Sequence, residues 1–105
     1  MSIDILSLLS QLVAIDSVNP DLVPGGAGEG AIARFIADWA EKAGLETHLE
    51  EAAPGRPNVI VIARGTGGGR SLMLNGHMDT VGVAGMSAPH APRIAEGRLY
   101  GRGAY

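Results

Sequence analysis

The chain contains no cysteine. Disulfides, thiolate metal sites and cysteine nucleophiles are thereby excluded, so any metal must be held by His, Asp or Glu. A basic block is also missing: 8 Lys and Arg stand against 11 Asp and Glu, and the net charge is -3. Nucleic-acid binding needs a cationic face that displaces counterions, and a polybasic membrane anchor needs the same, so neither partner is expected. No apolar run approaches the roughly 20 residues of a membrane span. The opening MSIDILSLLS lacks a positive n-region and includes Asp4, so it does not read as a signal peptide. The expected location is a reducing cytoplasm.

What is present suits one small domain. The 105 residues are 46% hydrophobic, enough to bury a core without staples and too apolar for disorder. Ile5, Leu8, Leu9, Leu12 and Val13 recur at helical spacing and predict a first helix ending near Asp16, because Asn19-Pro20 turns the chain away from helix. Pro24 to Gly28 reads as loop. Ile32, Phe35, Ile36, Trp39, Ala40 and Ala43 form an apolar stripe that predicts a second helix. Glu29 lies near its start, where a carboxylate suits the dipole, and Gly44 lies just past its end. Leu45 to Glu50 alternates as a half-buried strand, Asn58 to Arg64 reads as a central strand, and Ser71 to Asn75 as a third. Gly65 to Gly69 between the last two predicts a hairpin-like turn. Arg93-Ile94-Ala95 and Arg98-Leu99-Tyr100 flank Glu96-Gly97 and predict a short hairpin. The order helix, helix, strands predicts an α/β layer with two helices packed on a mixed sheet.

The chemistry concentrates in Leu74 to Val81, LNGHMDTV. His77 and Asp79 are two apart, so in extended backbone their side chains point the same way. A carboxylate so placed bonds one imidazole nitrogen and leaves the other for a metal. Gly76 would allow a turn or close approach of a ligand, and Thr80 would cap the next element. Taken alone, His-x-Asp equally describes a surface hydrogen bond, and one His does not hold zinc, which usually has three protein ligands. His48 lies among Glu46, Glu50 and Glu51 and reads as a solvated residue; His90 lies in an irregular loop between Pro89 and Pro92. The final GRLYGRGAY reads locally as a strand ending in a glycine turn. A domain ending on an apolar strand leaves raw sheet edge, so truncation is expected there.

Together these segments resemble the zinc aminoacylase and carboxypeptidase family, which includes acetylornithine deacetylase, succinyl-diaminopimelate desuccinylase and glutamate carboxypeptidase. LLSQLVAIDSVNP is similar to its first helix and loop, PNVIVIARG to the strand before its glycine turn, SLMLNGHMDTV to its first metal motif and GRLYGRGAY to its second. The resemblance implies that His77 is a ligand of one zinc and that Asp79 is the catalytic-site acid that orients it. It implies a two-zinc hydrolase of N-acyl amino acids or small peptides, nearest the acetylornithine deacetylase branch, with cobalt or manganese as other metals. Residues 1–105 would form the N-terminal portion of the catalytic domain. The bridging aspartate, glutamate base, distal histidine and inserted dimerisation or lid domain would follow Tyr105, and the parent would be a homodimer. His90 stands where the family often has an aromatic residue. These residues alone are expected to hold zinc weakly and hydrolyse nothing.

Two other readings compete. Gly65 to Arg70 is glycine-rich like a phosphate cradle but lacks the Lys-Ser/Thr of a P-loop and lies between expected strands. The chain is alternatively a non-catalytic fragment or decayed paralogue that acts as a binding module.

Overall fold

The computed structural model describes residues 2–105. In chain order it has α1 (Ile5–Val13), α2 (Gly30–Lys42), β1 (Glu46–Ala53), β2 (Arg56–Ile62), β3 (Arg93–Ala95) and β4 (Arg98–Tyr100). The expected α/β class is what the structure shows. The strands, however, form two separate antiparallel pairs, β1–β2 and β3–β4.

Asp4 starts α1 by accepting the Ser7 N–H at 3.0 Å, one of the donors a helix start leaves free. The helix stops at Val13, earlier than the expected Asp16. Local bonds take over there: Ile15 N–H donates to the Leu12 carbonyl, and Asp16 Oδ1 accepts from Val18 N–H at 3.1 Å. Such side-chain bonds compete with helical ones.

The second helix buries Ile32, Ala33, Ala37 and Ala40, while Phe35, Ile36 and Trp39 are half-buried. Three of the four deepest residues are thus alanines, and the helix packs against β1 and β2. Gly44 ends α2 as expected, with φ of 80°. Gly44 N–H donates to Glu41 O at 2.9 Å and Leu45 N–H to Ala40 O at 3.0 Å, the paired bonds of a Schellman ending.

Strand β1 pairs with β2 from Glu46↔Ile62 to Ala53↔Arg56, with an irregularity between Glu51 and Ala53. Strand β2 begins and ends two residues before the expected span, and β1 is its only ladder partner among the described residues. The expected strand Ser71 to Asn75 does not form. That segment joins no ladder, and Leu72, Met73 and Leu74 are 84%, 83% and 87% exposed. An apolar run supplies propensity, but a strand also needs a neighbour's N–H and C=O groups. The hairpin at the other end forms as expected. Its turn residues Glu96 and Gly97 have φ of 53° and 74°, the left-handed pair that a tight two-residue turn requires.

One ion-pair network ties the start of α2 to the sheet. Glu29 is buried at 7% exposure and makes no capping bond with its side chain. Instead Arg56 donates to both its carboxylate oxygens, Nε to Oε2 at 2.6 Å and Nη2 to Oε1 at 2.7 Å, and Nη1 donates to Asp21 Oδ2 at 3.0 Å. The Arg56 guanidinium holds the Glu29 carboxyl below its ordinary value of 4.5, against the opposing effect of burial. A carboxyl depressed in the folded state contributes stability above its unfolded pKa, and that contribution is lost as pH falls through the folded value. Thermal stability is therefore expected to fall on acidification below about pH 4.5, the ordinary carboxyl value. Glu29→Gln should cost on the order of 1–3 kcal/mol at neutral pH and flatten part of that acid dependence, as calorimetry between neutral and acid pH would read. An unchanged acid profile would contradict the assignment.

Candidate functional site

The structure brings the expected pair His77 and Asp79 together. Residues 76–79 lie outside any strand, and Thr80 docks beside the segment that leaves α1. Thr80 N–H donates to Ser17 O at 2.9 Å and Asn19 N–H to Thr80 O at 2.9 Å, which makes a parallel bridge of Val18 and Thr80. His77 and Asp79 face each other: His77 Nδ1–H donates to Asp79 Oδ1 at 2.8 Å, and the Asp79 carbonyl is 3.0 Å from the same nitrogen. Nε2, the nitrogen a metal would use, makes no hydrogen bond among the described residues. The His77 side chain is 83% exposed, whereas that of Asp79 is 27% exposed.

Asp79 is held from its other side as well. Asn19 Nδ2–H donates to Asp79 Oδ2 at 2.8 Å, so each carboxylate oxygen has its own partner. The Asn19 bond first and the His77 bond second hold the Asp79 carboxyl below the usual carboxylate range, against partial burial. Between the two site residues, the Met78 carbonyl accepts from Ser17 Oγ at 2.8 Å, and Ser17 is 1% exposed.

Two close approaches fix this arrangement. Residues 24–28 fold back over Val18, where Gly28 N–H donates to Val18 O at 3.0 Å. A Cβ on Gly26 would stand 2.6 Å from that same oxygen. The glycine turn of the second motif packs on the other side. A Cβ on Gly101 would overlap Val13 Cγ1, one on Gly103 would stand 3.0 Å from Thr80 Cγ2, and Arg102 N–H donates to Pro89 O at 2.9 Å. The end of GRLYGRGAY is therefore placed against Thr80, near the end of the segment LNGHMDTV.

Some expectations about the site change. Gly76 lacks both a positive φ and crowding around a Cβ, so its position does not demand glycine. Thr80 caps nothing; its backbone forms the bridge, and its Oγ1 is buried without a partner among the described residues. His48 is a surface residue, with Nε2 and Glu46 Oε1 2.9 Å apart. Arg64 first, then His48, pushes the Glu46 carboxyl down to about 2. His90 Nε2 lies 3.6 Å from Asp16 Oδ1, beyond a hydrogen bond. Gly65 to Gly69 opens no helix, so no helix N-terminus is there to hold phosphate. Asn19 and Ser17 were not among the expected site residues. Their one signal in the sequence was the segment IDSVNP, which reads locally only as a helix ending before Pro20.

Comparison with known proteins agrees with the motifs. Residues 73–105 match the family described as Peptidase family M20/M25/M40. Over 111 residues the chain is 34% identical to succinyl-diaminopimelate desuccinylase of Leptothrix cholodnii, covering 99% of this chain and 27% of that protein. It is 32% identical to acetylornithine deacetylase of Aliivibrio fischeri, with 89% and 25% covered. It is 31% identical to an uncharacterized metallohydrolase of Methanocaldococcus jannaschii, with 93% and 27% covered. The chain thus spans about a quarter of the length of the curated relatives it matches. No solved structure matches. The matched stretch, residues 73–105, holds LNGHMDTV, GRLYGRGAY and the His77–Asp79 pair, and it is this stretch that is similar to the peptidase family M20/M25/M40.

Proposed function

We propose that the chain is the N-terminal portion of the catalytic domain of a metal-dependent amide hydrolase. Its substrates are N-acyl amino acids or small peptides, with N-acetylornithine and N-succinyl-diaminopimelate the first to try, since relatives carry those names. The observation that carries the proposal is the imidazole of His77. Its Nδ1 is engaged by an anionic carboxylate, its Nε2 is open, and it lies in the stretch that matches the family.

The donor set supports one ligand position. A neutral imidazole with a carboxylate behind it is a fitting zinc donor, but zinc usually takes three protein ligands. Among the described residues no group of three or more His, Asp or Glu gathers, so the remaining ligands are assigned to residues outside this chain. A zinc ion supplies polarisation of the scissile carbonyl. Asp79 keeps the Nδ1–H tautomer of His77 and fixes the ring's direction. In this reading the dimerisation domain and the glutamate base also lie outside residues 1–105, and the parent works in the cytoplasm.

The test is a substrate panel on the purified full-length protein, before and after chelation. Release of free amine from at least one N-acyl amino acid is expected. Chelation should abolish it, and zinc, cobalt or manganese should restore it. Turnover indifferent to chelation, or no turnover with any N-acyl substrate after metal loading, would overturn the proposal.

A further inference from the structure

The segment Ser17-Val18-Asn19 touches residues 78–80 at every position, across a separation of 60 residues in sequence. A strand pair alone would need only the backbone bridge. Here two side chains add bonds of their own, one to the residue between His77 and Asp79 and one to Asp79 itself: Ser17 Oγ to the Met78 carbonyl and Asn19 Nδ2 to Asp79 Oδ2, each 2.8 Å. The Asn19 side chain is itself fixed, because its Oδ1 accepts from Asp21 N–H at 2.8 Å. That bond settles which end of the amide faces Asp79: the NH2 end, a donor only.

This has a consequence for the imidazole. A carboxylate with one free oxygen can rotate and offer either oxygen, or swing toward water. With Oδ2 engaged by Asn19, only Oδ1 remains for His77 Nδ1. We propose that Asn19 is a positioning residue that acts through Asp79 to hold His77 as the Nδ1–H tautomer, with Nε2 unprotonated. The inference rests on the proposed role of His77 for its importance to catalysis, but the tautomer it assigns belongs to the metal-free protein.

The test uses full-length protein with 15N-labelled histidine, stripped of metal, and long-range proton–nitrogen correlation to read the His77 tautomer. Asn19→Asp is the decisive variant. It keeps an acceptor for Asp21 N–H, and so the local turn, but sets a carboxylate against Asp79 Oδ2 in place of the donor, which pushes Asp79 off His77 Nδ1. Asn19→Ala removes both. In the wild type the Nδ1–H form is expected to dominate. In Asn19→Asp the Nε2–H form should become the major one, with zinc affinity lower by about tenfold, the low end of the cost of losing an outer-sphere partner. A structural role alone would lower the stability of Asn19→Ala and leave the tautomer in Asn19→Asp unchanged; that result would overturn the proposal. Full activity with an unchanged tautomer in Asn19→Asp would sink the role of Asn19 while leaving the hydrolase assignment standing. A shifted tautomer in a protein that hydrolyses nothing would do the reverse.

Discussion

Replacing His77 by alanine in the full-length protein should lower metal-dependent turnover by more than about a hundredfold, since losing even an outer-sphere partner of a metal ligand costs 10–100-fold. The fold should survive. The His77 side chain is 83% exposed and its one side-chain partner is Asp79, two residues away, so truncation opens no cavity and leaves no buried donor. Thermal unfolding is expected to stay within about 0.5 kcal/mol of the parent, as for exposed positions in general. Loss of turnover with an unchanged melting profile is therefore the signature of a ligand. Loss of both together would assign His77 a structural role, and retention of turnover would remove it from the site.

The second large effect is expected at a residue distant in sequence from the motif. Gly26→Ala places a methyl group 2.6 Å from Val18 O and 3.1 Å from both Asn19 C and Pro20 Cα, all of them backbone. No rotamer change relieves such contacts, so either residues 24–28 lift away or Ser17–Asn19 shifts. Lifting breaks the Gly28 to Val18 bond; a shift of Ser17–Asn19 moves the bonds that hold Met78 and Asp79. Overpacking of this kind costs about 1–3 kcal/mol, or roughly 4–8 °C in melting temperature per kcal/mol for a domain of about 100 residues. Turnover should fall as well, because the dyad loses its support. Gly76→Ala is the matching control for stability. Although it adjoins His77, it meets nothing within 4 Å and has no positive φ, so its melting temperature should barely change. Equal melting temperatures for the two variants would refute the close approach at Val18.

These two glycines show where sequence reading ends. Gly76 lies inside a motif and attracts a conformational explanation, whereas Gly26 lies in a run of four small residues and attracts none. Only the fold shows that the second passes over a backbone carbonyl. What was legible depends on neighbours in sequence. Glu96-Gly97 specifies its turn locally, Gly44 ends α2 locally, and His77 and Asp79 meet across two residues of sequence. The contacts of Ser17 and Asn19 with residues 78–80 depend on tertiary placement, which no periodicity encodes. Ser71 to Asn75 failed for a related reason: its apolar pattern names a strand, but a ladder is made by two segments. The half-buried ion pair of Glu29 and Arg56 was equally hidden, since 27 residues separate them and Glu29 had a sufficient local explanation as a dipole partner.

The hydrolase reading stands or falls on whether His77 gives Nε2 to a catalytic metal. An equilibrium zinc titration of the full-length protein against a chromophoric chelator, wild type beside His77→Ala, decides this without any choice of substrate. The substitution should weaken the tighter zinc site by more than about tenfold, the least cost of disturbing a ligand's surroundings, with the loss of turnover following the loss of bound metal. Equal zinc affinity and stoichiometry in the two proteins would contradict the assignment.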